Sequence, residues 1–173
     1  MKPENLLYDS NFNLKIADFG FAAPLAGKDG SGLLKTVLGT FGYMAPEIIA
    51  RLAYNGESVD LFACAVILFI MVARHPPFVK ADPTQDQFYL KFITRPDLFW
   101  RQHSQNKPAK ANGEPFFSEN FKNLITFMLQ HDPTLRPSLQ EVKAHVWYNG
   151  DVPTYDSIFT EFSARKAKIN QEA

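Results

Sequence analysis

The chain has 173 residues, 46% of them hydrophobic and 16 of them Phe, enough for one domain with an aromatic-rich core. Lys and Arg number 18 and Asp and Glu number 18, so the charge balance gives no footprint for nucleic acid and none for an acidic partner. A single cysteine, Cys64, lies in an apolar run, which excludes a disulfide framework and favours an intracellular protein, cytoplasmic with the nucleus open to it.

Taken in chain order, Asn5-Leu6-Leu7-Tyr8 and Asn13-Leu14-Lys15-Ile16 predict two short strands, and Asp9-Ser10-Asn11 between them carries turn chemistry. The glycine-rich stretch from Ala26 to Gly32 reads as a mobile loop. A short helix carrying Ile48 and Ile49 is expected after Ala45-Pro46-Glu47. The run from Leu61 to Ala73 predicts a buried helix starting near Val59 and ended by Arg74-His75-Pro76-Pro77. Its 13 uninterrupted apolar residues are too few to span a bilayer, so no membrane span is expected, and no signal peptide is visible.

Residues 82–120 read as loop and short helix, with a surface excursion at 106–110. Phe121, Leu124, Ile125, Met128 and Leu129 recur at helical spacing. Ser138 and Glu141 form a capping box for a last core helix with apolar positions at Leu139, Val142 and Val146. Residues 149–173 form a tail, with one more helix through Ile158, Phe159 and Phe162. His75, His103, His131 and His145 are scattered without metal-ligand spacing.

The first two strands carry a chemical implication. An antiparallel hairpin turning near Asn11 brings the residues beyond its open ends together, so the Asn5 amide and the Asp18 carboxylate converge. Magnesium prefers such oxygen donors, few from protein and the rest from phosphate and water.

Lys2-Pro3-Glu4-Asn5, Asp18-Phe19-Gly20, Ala45-Pro46-Glu47 and His131-Asp132-Pro133-Thr134-Leu135-Arg136-Pro137 follow one another in an order that resembles the eukaryotic protein kinase family, over residues 1–148. Thr40, together with Lys2-Pro3-Glu4-Asn5, resembles the serine/threonine type. Pro76-Pro77-Phe78 leans toward the calcium/calmodulin-dependent and energy-sensing groups. The resemblance implies a mainly α protein-kinase-like C-terminal lobe with an N-terminal β-hairpin, using ATP and Mg2+, acting on protein substrates bearing Ser or Thr and activated by an upstream kinase.

It also implies roles residue by residue. Asn5 and Asp18 match the ligands of the metal ions on the ATP phosphates. Lys2 matches the lysine that neutralises charge on the transferring phosphoryl group, against the plain reading of a solvated lysine. Leu7 matches the floor of the adenine pocket. Thr40 matches the threonine that hydrogen-bonds the catalytic Asp and Lys. Thr36 matches the activation-loop phosphorylation position, against an unmodified loop hydroxyl. Phe19, Gly20, Glu47, Asp60 and Arg136 match structural positions: the aromatic under the small-lobe helix, a sharp turn, the Glu47–Arg136 ion pair, and the aspartate that pins the catalytic loop. Asp60-Leu61-Phe62-Ala63-Cys64-Ala65 departs from the family's Asp-x-Trp-x-x-Gly by two size-tolerant exchanges.

The family's proton-accepting Asp precedes the position of Met1. Its Gly-rich loop, nucleotide-binding Lys, small lobe and first large-lobe helices find no match in the sequence. The expectation is therefore a partial kinase domain, inactive by itself. The alternative is a non-catalytic pseudokinase-like scaffold or decoy that binds kinase substrates or regulators. The basic segment Arg165-Lys166-Ala167-Lys168 reads as a solvated helix end rather than a substrate mimic.

Overall fold

A computed structural model describes residues 1–27, 29–110 and 113–172. Among the described residues it is mainly helical, with two short strands, β1 (Leu6–Tyr8) and β2 (Leu14–Ile16), and seven α-helices. These are α1 (Pro46–Ile49), α2 (Gly56–Ala73), α3 (Gln87–Thr94), α4 (Pro96–Ser104), α5 (Glu119–Met128), α6 (Leu139–Ala144) and α7 (Tyr155–Glu172).

The strands pair antiparallel with Leu7 opposite Lys15. Asp9 makes the turn: its Oδ1 accepts from the Asn11 and Asn13 main-chain N–H groups at 2.9 Å each. Those bonds hold the Asp9 carboxyl below the usual carboxylate range. Asn5, expected in the first strand, instead ends a 3-10 turn over Pro3–Asn5. A proline opens that turn, and Pro has no N–H to lend to a ladder.

α2 is the pillar of the core. Phe62, Ala65, Val66, Phe69 and Ala73 along it are fully buried. It begins three residues before the expected Val59, because Asn55 caps it by accepting the Ser58 N–H at 3.0 Å. It ends at Arg74 in the left-handed conformation, φ 63°. At 18 residues it is long and apolar enough to cross a bilayer on those criteria alone. Of that apolar window, 39% is buried against the other described residues. Its surroundings are aromatic: Phe69 lies within 6.0 Å of the rings of Phe99, Trp100, His103 and Phe117.

The stretch 82–120 is more helical than expected. α3 starts at Asp86, whose Oδ1 accepts from Phe88 and Tyr89 while Oδ2 accepts from Val79 and Lys80. α4 starts on Pro96, and α5 is capped by Ser118. At the expected excursion, Lys107 Nζ donates to the Ala73 carbonyl at 2.9 Å and so satisfies the end of α2. Ala111 and Asn112 in this stretch, Lys28 in the glycine-rich loop and Ala173 in the tail lie outside the described residues.

The glycine-rich loop closes on itself through Gly32 N–H to the Ala26 carbonyl at 2.8 Å. Gly27 there has φ +70°, and a Cβ on it would lie 2.6 Å from the Leu33 carbonyl oxygen, so only glycine fits.

The Ser138–Glu141 capping box forms as expected. Of the three apolar positions assigned to that helix, only Val142 enters the core. Leu139 is 51% exposed and Val146, beyond the helix end at Ala144, is 66% exposed. A six-residue helix presents too few turns to bury a full stripe. The tail helix is present as α7, and its first turns dock against the hairpin.

Candidate active site

The site is built on the two ends of the hairpin. The Ala17 N–H donates to the Asn5 carbonyl at 2.8 Å, which ties the chain entering β1 to the chain leaving β2. Just beyond that clasp, Asn5 Nδ2 donates to Asp18 Oδ2 at 3.3 Å. Asp18 adopts φ 59°, a left-handed conformation that aspartate tolerates better than most residues. Its other oxygen, Oδ1, accepts the Gly20 N–H at 3.1 Å. A Cβ on Gly20 would sit 3.1 Å from that same oxygen, so glycine gives the carboxylate its room.

This pair fits a hard cation in donor type. Asp18 offers carboxylate oxygens, and a half-turn of the Asn5 amide offers its oxygen in place of the nitrogen. Among the described residues no cluster of three or more His, Cys, Asp or Glu side chains could hold a metal. Two protein donors beside open solvent match what magnesium uses when phosphates and water complete its shell.

Lys2 belongs to the same turn, since the Asn5 N–H donates to the Lys2 carbonyl at 3.1 Å. Among the described residues its ammonium has no acidic or hydrogen-bonded partner. Leu7 is 52% exposed and Phe19 70% exposed, so the hairpin face and the Asp18-Phe19-Gly20 turn are both open. Asp60 Oδ1, at the first turns of α2, lies 3.8 Å from the Met1 amine and thereby meets the backbone at the start of the Lys2–Asn5 turn.

Residues 34–54 are held differently. Leu34 and Tyr54 form a two-bond bridge at 2.8 and 2.9 Å, and the Tyr54 hydroxyl donates to the Thr36 carbonyl at 2.7 Å. The Thr36 hydroxyl stays exposed. Tyr54 was not legible as a partner, because its mate lies 18 residues away with no periodic signal between them. Thr40 is exposed, starts the 3-10 turn Phe41–Tyr43, and is not joined to Lys2 by a hydrogen bond. Lys80 sits over the Phe41 ring at 5.2 Å, a second contact the sequence did not suggest. Burial pushes the Tyr43 phenol up, with the Glu4 carboxylate adding to the effect.

Glu47 and Arg136 meet as a buried bidentate pair, Nη1–Oε1 2.6 Å and Nη2–Oε2 2.7 Å. They lock α1 to the turn before α6.

The protein kinase domain family matches residues 1–148 of the chain. The chain belongs to the protein kinase family. Among the chain's relatives, CBL-interacting protein kinase 11 of Oryza sativa subsp. japonica is 40% identical over 152 residues, covering 88% of this chain and 27% of the relative. CBL-interacting protein kinase 15 of the same organism is 36% identical over 148 residues, covering 86% and 30%. CBL-interacting serine/threonine-protein kinase 24 of Arabidopsis thaliana is 35% identical over 148 residues, covering 86% and 29%. The chain thus spans less than a third of the length of these relatives.

Proposed function

We propose that this chain supplies the magnesium-holding and substrate-facing part of a protein serine/threonine kinase that transfers the γ-phosphoryl group of ATP to Ser or Thr of a protein. The observation that supports it is the meeting of Asn5 and Asp18 beyond the clasped end of the hairpin, at 3.3 Å. The bound Mg2+ would neutralise charge on the ATP phosphates. Asn5 and Asp18 hold it. Lys2, without an acidic partner, supplies a further positive charge beside them. Leu7 presents an apolar face for the adenine.

Thr36 is proposed as a phosphorylation site for an upstream kinase, because its hydroxyl is exposed while its carbonyl is fixed by Tyr54. The names of the relatives add a CBL protein to the partners proposed for a longer form of this protein.

These 173 residues contain no His-Arg-Asp motif and no Gly-x-Gly-x-x-Gly motif. Positioning and electrostatics carry most of phosphoryl transfer, so the chain alone is expected to show no phosphotransfer. The test has two arms. Mn2+ is titrated into the chain and followed by water-proton relaxation; binding should be lost in Asp18→Ala and weakened in Asn5→Ala. Binding that ignores both substitutions would sink the site. ATP-dependent phosphorylation by the chain that vanishes in Asp18→Ala would overturn the expectation of inactivity.

A further inference from the structure

The hairpin that carries Asn5 and Asp18 has little of the core behind it. Leu7, Tyr8, Leu14 and Ile16 are 50–56% exposed. A two-stranded hairpin by itself is marginal in water. Its turn also contains Phe12 at φ 62°, a conformation unfavourable for a bulky residue.

What covers the turn end is α7, joined to it across most of the chain. Phe162 meets the Tyr8 ring edge-on at 5.0 Å. Phe159 and Phe162 flank Phe12 at 5.4 and 5.5 Å. The Tyr155 hydroxyl donates to the Asn11 carbonyl at 3.4 Å. Residues 164–171 of the helix are exposed, with Ile169 at 66%. The packing of α7 is therefore concentrated on the hairpin turn.

We propose that α7 is a positioning element for the cation site, with Phe159 and Phe162 as the positioning residues. They grip Tyr8 and Phe12 at one end of the hairpin. The antiparallel ladder transmits that restraint to the other end, where Ala17 clasps Asn5 and Asp18 lies 3.3 Å from the Asn5 amide. The ring of Phe12 is the part of the turn that both phenylalanines hold. The inference rests on the reading of Asn5 and Asp18 as cation ligands, but the restraint itself can be read without a cation.

The experiment is amide hydrogen exchange on the full 173-residue chain, with Mn2+ binding as a second measurement. In Phe159→Ala/Phe162→Ala the Ala17 amide should exchange at least tenfold faster, while the amides of α2 and α5 keep their protection. Mn2+ should bind at least threefold more weakly. Phe162→Leu, which keeps an apolar side chain, should recover most of the protection, and Ile169→Ala should change nothing. Unchanged exchange at Ala17 in the double variant overturns the inference. Equal acceleration in α2 and α5 overturns it as well, by making α7 a general stabiliser. If Mn2+ binds the wild type and Asp18→Ala equally, the ligand reading falls, and exchange at Ala17 still decides whether α7 positions the hairpin.

Discussion

Arg136 uses its whole guanidinium. Nε donates to the Gln130 carbonyl at 2.8 Å, Nη1 to Glu47 and to Ser58 Oγ, and Nη2 to Glu47. Its carbon lies 4.9 Å from the Phe62 ring centre. Removing one partner leaves the other charge buried, so Arg136→Met should cost about 3–5 kcal/mol in urea unfolding, and Glu47→Leu/Arg136→Met should recover a large part. His103 makes a second prediction. Burial, helped by the His75 ring stacked at 5.0 Å, holds its imidazole down at about 4 from 6.5. The unfolded chain therefore binds this proton first. Stability is full above pH 6.5 and falls as pH drops from there toward about 4, by up to about 3 kcal/mol. His103→Gln keeps a donor for the Pro77 carbonyl and removes the titration. The slope of unfolding free energy against pH should flatten in that window, and a slope equal to the wild type's would refute the assignment. Cys64 runs the other way: burial, then Asp60, pushes its thiol up to about 11, which keeps it unreactive at neutral pH.

At the scale of elements, caps decide where helices begin. Asp86 serves four main-chain N–H groups at 2.7–3.1 Å and is itself 8% exposed. Asp86→Ala leaves a helix start and a loop without acceptors and should cost about 2–4 kcal/mol by chemical denaturation. Asp86→Asn keeps one oxygen and should fall between. The exposed Ser138 box should lose only about 1 kcal/mol in Ser138→Ala. The same caps explain what was legible. Ser138 and Glu141 stand three apart beside an apolar run, so the sequence alone revealed that helix start. Asp86 was missed because the residues after it, Gln87 and Phe88, begin no strict period. Asn55 was missed because Gly56, Glu57 and Ser58 look like a loop until the cap is recognised. The hairpin was readable from Asp9 and Asn11, and with it the meeting of Asn5 and Asp18. The docking of α7 was not readable: Phe12 lies in a turn, where an aromatic signals neither strand nor helix.

For the whole molecule, α2 divides covered from uncovered surface. One side of it is the aromatic core. The other carries Leu61, Cys64 and Leu68, only partly buried, and Met71 at 67% exposure. The apolar run predicted a buried helix, and the described residues bury its core side. That half of the expectation was legible because an unbroken apolar run needs burial somewhere. Which elements would do the burying depends on pairings between distant segments, and periodicity does not encode those. The Glu47–Arg136 pair is such a pairing, and its two halves are 89 residues apart. On a ribosome adding roughly 5–20 residues per second, the Glu47 carboxylate waits on the order of 4–18 s before its arginine is even synthesised. During that interval α1 lacks its anchor to the turn before α6, and a nascent-chain chaperone or protease would meet it without the ion pair that the finished protein holds.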